Sequence, residues 1–145
     1  MIRSLARDRR GAAAVEFAAV LTPLLLLMFG SFEFGRLLWT REALQETAAA
    51  AARCMALTSS SCASGGVYSS TATTTYIESA ATAWGVTLTS SNITLNSDAT
   101  CAGVSAANGF STVSLTYTFE SFMPNLVHPL ASGTSLTTSA CYPNY

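Results

Sequence analysis

The chain has no lysine, a single histidine and few charges of any kind: seven arginines and eight acids among 145 residues. Charged residues make up 10%, against about 25% in an ordinary soluble domain. A formal net charge of -1 with no lysine supplies no basic stripe for phosphates, which excludes a basic nucleic-acid-binding module. Disorder is excluded from the other side. A disordered chain pairs low hydrophobicity with high net charge, whereas half of these residues are apolar.

The few charges are unevenly placed. Residues 1–11 carry Arg3, Arg7, Arg9 and Arg10 against Asp8, a net +3, and residues 58–145 carry only Glu78, Asp98 and Glu120, a net -3. Between them, residues 12–57 come to -1. Directly after the basic flank, Phe17 to Phe32 is a run of 16 uncharged residues, and 21 residues separate Ala12 from Phe32 inclusive. A bilayer-spanning helix needs about 20. Residues 12–35 therefore read as a single transmembrane helix in contact with the lipid bilayer, with residues 1–11 held cytoplasmic under the positive-inside rule and the remainder exported. A removable secretory signal has the same basic-then-apolar order. It would require a small-residue cleavage site, and the far end of this run is Phe29-Gly30-Ser31-Phe32-Glu33-Phe34, bulky and acidic.

Helical spacing continues past the span. Leu37, Leu44 and Ala51, with Leu38, Ala48 and Met55 beside them, recur on one face, while Arg36, Arg41, Glu42, Glu46 and Arg53 take other positions. A single helix from Ala12 to about Leu57 would be roughly 69 Å long, so its second half, residues 36–57, must bury its apolar face outside the membrane. Pro23 lies within the span, where proline is tolerated. The run Ala48 to Ala52 permits close packing and also favours helix in its own right. The cluster Thr58-Ser59-Ser60-Ser61 ends the helix.

Residues 58–145 form a Ser/Thr-rich region, with 33 serines and threonines among 88 residues. Thr73 to Trp84 predicts a short helix with Tyr76, Ile77, Ala80, Ala81 and Trp84 on one face, closed by Gly85. Asn92 to Ser97, Thr112 to Glu120 and Ser135 to Tyr142 predict strands, the clearest alternating as Val113, Leu115, Tyr117 and Phe119. Val86 to Thr89 is a candidate fourth strand, and Phe122 to Ser132, with Pro124 and Pro129, a connecting loop. The expected fold is α+β: a long N-terminal helix packed on a small antiparallel sheet of three or four strands.

Cys54, Cys62, Cys101 and Cys141 all fall beyond the span, and an even count in an oxidising compartment predicts two disulfides. Three pairings are open. Spacing favours Cys54 with Cys62, stapling the helix end, and Cys101 with Cys141. Zinc is disfavoured, because no pair has Cys-x-x-Cys spacing. His128 has no acid beside it, there is no Gly-x-Ser-x-Gly elbow, and Glu78, Asp98 and Glu120 are far apart. No catalytic residue, metal or cofactor is expected, and the chain does not read as an enzyme. Asn92-Ile93-Thr94 matches a glycosylation sequon, a tripeptide common by chance in Thr-rich sequence.

The most specific motif is Arg9-Arg10-Gly11-Ala12-Ala13-Ala14-Val15-Glu16-Phe17. A glycine, four small or apolar residues, then Glu and an aromatic residue at the head of an apolar helix is similar to type IV prepilin processing sites. With Glu33-Phe34-Gly35-Arg36, Ala43-Leu44-Gln45 and Ala48 to Arg53, the chain resembles the TadE-like family of pilus assembly proteins. The resemblance covers about residues 9–57 and implies a pilin-like fold in a minor pilin or pseudopilin. It implies cleavage by a prepilin peptidase between Gly11 and Ala12, a mature net charge of -4, an inner-membrane location, and a role in Tad pilus biogenesis, adhesion and biofilm formation. Its implied partners are other pilins or pseudopilins and inner-membrane assembly proteins.

Glu16 carries physical information of its own. A carboxylate costs about 2.5 to 3.5 kcal/mol at the centre of an inserting helix and less near its end, so it should have a partner, and cleavage would create one in the Ala12 ammonium. Such a pair, with Phe17 beside it, would set the axial register between subunits. A second reading is a membrane-tethered binding module that does not polymerise and uses its hydroxyl-rich surface with Tyr142 and Tyr145.

Overall fold

The computed structural model describes residues 11–104, 106–122 and 135–144. The leader through Arg10, most of the expected Phe122 to Ser132 loop with His128, and Tyr145 lie outside the described residues. The chain divides into two compact units at Gly35/Arg36.

Helix α1 runs Ala12–Ala56 through Pro23 without a break. Its first part is long and apolar enough to cross a membrane, and none of that apolar window is buried. The hydroxyls of Thr22 and Ser31 donate to the carbonyls of Ala18 and Leu27, at 2.9 and 2.7 Å. Neither therefore leaves an unmet donor on an apolar surface, where it would be costly.

The second unit, Arg36 to Tyr145, is built on the other part of α1. Leu44, Ala48, Ala51 and Met55 follow one another at helical spacing, and all are buried. They share a core with Ile77, Ala81, Val86, Leu88, Val113 and Leu115. Of the alanine run, Ala48, Ala51 and Ala52 face this core while Ala49 and Ala50 are exposed, so small side chains bring the helix close to its neighbours within the unit.

A two-residue hairpin follows, β1 (Ala63–Ser64) and β2 (Val67–Tyr68), paired antiparallel. No periodicity marks a hairpin of this length. Its signal was Gly65-Gly66, both at positive φ (64° and 81°), the requirement of a tight hairpin turn. Tyr68 packs against the core, and burial pushes its phenol pKa up.

Helix α2 (Ser70–Ala83) begins three residues earlier than expected. Ser69 caps it by accepting from the Ala72 N–H at 3.3 Å, so the serine and threonine run at its start is a cap and a first turn. The expected face is also corrected: Thr73, Ile77 and Ala81 are buried, while Trp84 is exposed. Thr73 enters the core because its hydroxyl donates to the carbonyl of Ser69 at 2.9 Å and lies 3.4 Å from that of Cys62.

The sheet has the order β3-β4-β5 and is antiparallel throughout, with β3 at Ile93–Ala99, β4 at Phe110–Thr118 and β5 at Ser135–Pro143. Val86 to Thr89 does not join it. Val86 and Leu88 are buried in the core without a strand partner, which explains their strand-like alternation. Across the sheet, Val113 faces Leu95 and Ala140, and Leu115 faces Ile93 and Thr138. The opposite face carries Thr112, Ser114 and Thr116, matched on β5 by Cys141, Ser139 and Thr137.

Both helices end in the same motif. After α2, Gly85 sits at φ 80°, its N–H bonds to Thr82 O, and the Val86 N–H bonds to Ala81 O. After α1, Thr58 takes that place at φ 44°, with its N–H on Met55 O and the Ser59 N–H on Cys54 O. A Cβ in left-handed geometry costs roughly 1 to 2 kcal/mol. Thr58→Gly should therefore stabilise the protein and Gly85→Ala destabilise it, each by about 1 kcal/mol. Urea midpoints moving in the same direction for both would contradict this account.

Candidate functional site

In the first unit, Gly11 immediately precedes α1, Ala12 is its first residue, and Glu16 and Phe17 lie on its exposed surface. Glu16 is the fifth helical residue, one past the first turn, where the pull of the helix dipole has largely decayed. Val15, Phe17, Val20, Leu24 and Leu27 are all more than half exposed, leaving an apolar helix surface open along its length.

The cysteines lie in the second unit. Cys54 bonds to Cys62 across 8 positions and Cys101 to Cys141 across 40. The first bridge ties the end of α1 to the segment entering β1; the second joins the loop after β3 to strand β5. Beside that second bridge, Asn144 gathers the C-terminal end of the sheet. Its amide nitrogen donates to Ser97 O at 2.8 Å and Asn108 O at 2.9 Å, while its side-chain oxygen accepts from Ser111 Oγ at 2.7 Å. Tyr142, expected to be available for a ligand, instead packs against the core opposite Ser111. Asn92 of the sequon is likewise engaged, its side-chain oxygen accepting from the Thr89 N–H at 2.9 Å.

A second surface was not anticipated. A cavity of about 450 Å³ is lined by Arg36, Trp39, Val86, Tyr117, Phe119 and Phe122, among others. The Arg36 guanidinium donates to Glu120 O at 2.8 Å and lies over two rings, 5.0 Å from the centre of Phe119 and 4.4 Å from that of Phe122. Trp39 meets Trp84 edge to face at 5.6 Å, and its indole N–H donates to Trp84 O at 3.3 Å. Arg36 and Trp39 thus fasten the opening turn of the second unit to the ends of β4 and α2. The available signal was the pair Arg36 and Trp39 at i, i+3 just past the apolar run. Their partners, 45 and 84 positions away, carry no local signal.

Among the described residues, no acid, base and nucleophile come together. Glu78 is on α2, Asp98 on β3 and Glu120 beyond β4, and no group of three metal-ligating side chains occurs among the described residues. Residues 11–53 match the family model of TadE-like proteins. The TadE-like segment links the chain to Tad pilus assembly, a family of assembly components with pilins or assembly proteins as partners. Its apolar helix suits a membrane-anchored component of that kind. No curated protein and no solved structure matched the chain.

Proposed function

We propose that this chain is a minor pilin or pseudopilin of a Tad pilus, anchored in the inner membrane by α1 and working through helix-to-helix assembly. The observation that carries the reading is where the TadE-like match starts: at Gly11, the residue after which a prepilin peptidase would cut. Beyond it stand a free apolar helix surface and one acid, Glu16, near the helix start. Before assembly the apolar surface is solvated by lipid; afterwards it packs on the helices of other subunits. Glu16 fixes the axial offset by pairing with an Ala12 ammonium, since a carboxylate placed in hydrocarbon without a partner is costly. The second unit faces the periplasm or the exterior and contributes to adhesion and biofilm formation through the assembled pilus.

Replacing Glu16 with Ala tests the mechanism. The variant should insert into the membrane at wild-type levels while pilus production falls by about tenfold or more, the factor that about 1.4 kcal/mol makes in a single association step. Normal piliation would refute the role of Glu16 as the register residue. Edman sequencing of the membrane-fraction protein addresses processing separately: the expected start is Ala12, and a chain still starting at Met1 would refute cleavage.

A further inference from the structure

We propose that the patch formed by Trp39, Trp84 and Phe122 around Arg36 is a headgroup-zone anchor that seats the second unit on the surface of the bilayer its own helix enters. The inference rests on the reading that the apolar run ending near Phe32 crosses the membrane. These three side chains are 59%, 44% and 77% exposed, although a buried core is available in the same unit. Their chemistry is that of a membrane interface. Indole combines a large apolar ring with one N–H donor, and arginine carries an apolar stem under a charged head, so both are favoured where hydrocarbon meets headgroups.

Chain connectivity selects the bilayer over another occupant. Arg36 follows Phe32 by four residues and Trp39 by seven, so even a fully extended chain holds them within about 14 and 25 Å of the end of the run. Trp84 and Phe122 are brought to the same place by contact with Trp39 and Arg36. A surface held within that distance of the span's end and exposing aromatic rings around an arginine is placed to meet lipid.

The chain contains two tryptophans, and both belong to the patch, so intrinsic emission reports on it alone. Full-length protein, with Trp39→Phe and Trp84→Phe to separate the signals, would be reconstituted into phosphatidylethanolamine and phosphatidylglycerol vesicles containing lipids brominated near the headgroup or near the chain end. Both indoles should lose most of their intensity to the shallow bromine and little to the deep one, and aqueous acrylamide should reach them poorly. Indoles open to acrylamide and unaffected by either bromine, or quenched more by the deep bromine, overturn the anchor. Protection that appears only at high protein-to-lipid ratio also overturns it, in favour of contact with a second copy. Flotation and resistance to alkaline extraction measure the span independently: protein that floats and resists extraction but shows open indoles refutes the anchor alone, whereas protein that does neither refutes both readings.

Discussion

Replacing Cys101 and Cys141 together with serine should lower the stability of the second unit by about 4 kcal/mol, the chain entropy returned to the unfolded state when a loop of this length is opened. Among the described strands, β5 has β4 as its one sheet neighbour, so apart from that ladder and the Asn144 hydrogen bonds beside it, the bridge is the crosslink that holds it to the loop after β3. With so few charges and a core rich in alanine, little else of comparable size can compensate. The thermal midpoint should fall by about 15 °C or more, and wild-type protein in strong reductant should approach the variant. The shorter Cys54–Cys62 loop spans 8 positions and should contribute less, about 2.5 kcal/mol. A double variant with an unchanged urea midpoint would show that the β4–β5 pairing holds without its crosslink.

Leu44→Ala should cost about 3 kcal/mol. Leu44 is 1% exposed and is the largest side chain that α1 places fully inside the core, with Ala43 before it and Ala48 one turn on. Alanine neighbours have no rotamers with which to fill the space a truncated leucine leaves. The cavity term therefore adds to the lost transfer energy rather than relaxing away. Leu38, 44% exposed on the same helix, is the internal control: its replacement by Ala should cost about 1 kcal/mol or less. Equal urea midpoints for the two variants would mean that the apolar face assigned to α1 is not the one that carries the fold.

Much of the architecture was legible because its signals are local. The apolar run, the helical spacing from Leu37 to Met55, the uninterrupted alternation from Val113 to Phe119 and the glycine after Trp84 each depend on neighbours a few positions apart. The errors have equally definite causes. Thr73 was not read as a core residue because its type is polar; only the carbonyls of Ser69 and Cys62 make it acceptable inside. Val86 and Leu88 alternate with polar residues as a strand would, but burial against the core, not a ladder, is the reason. Trp84 was assigned to the buried face of α2 by spacing, yet it sits outside and meets Trp39 instead.

The sequence by itself determined that the chain begins its described part with one long apolar helix, that an acid stands near its start, and that a hydroxyl-rich α+β region with four cysteines follows. These properties follow from residue type and short-range period, which act before any distant contact forms. Only the tertiary structure decided which residues from far apart meet: Asn144 with Ser97, Asn108 and Ser111, Arg36 with Glu120 and two phenylalanines, and Trp39 with Trp84. Such contacts depend on where separate elements come to rest against a shared core, and no period along the chain encodes that placement.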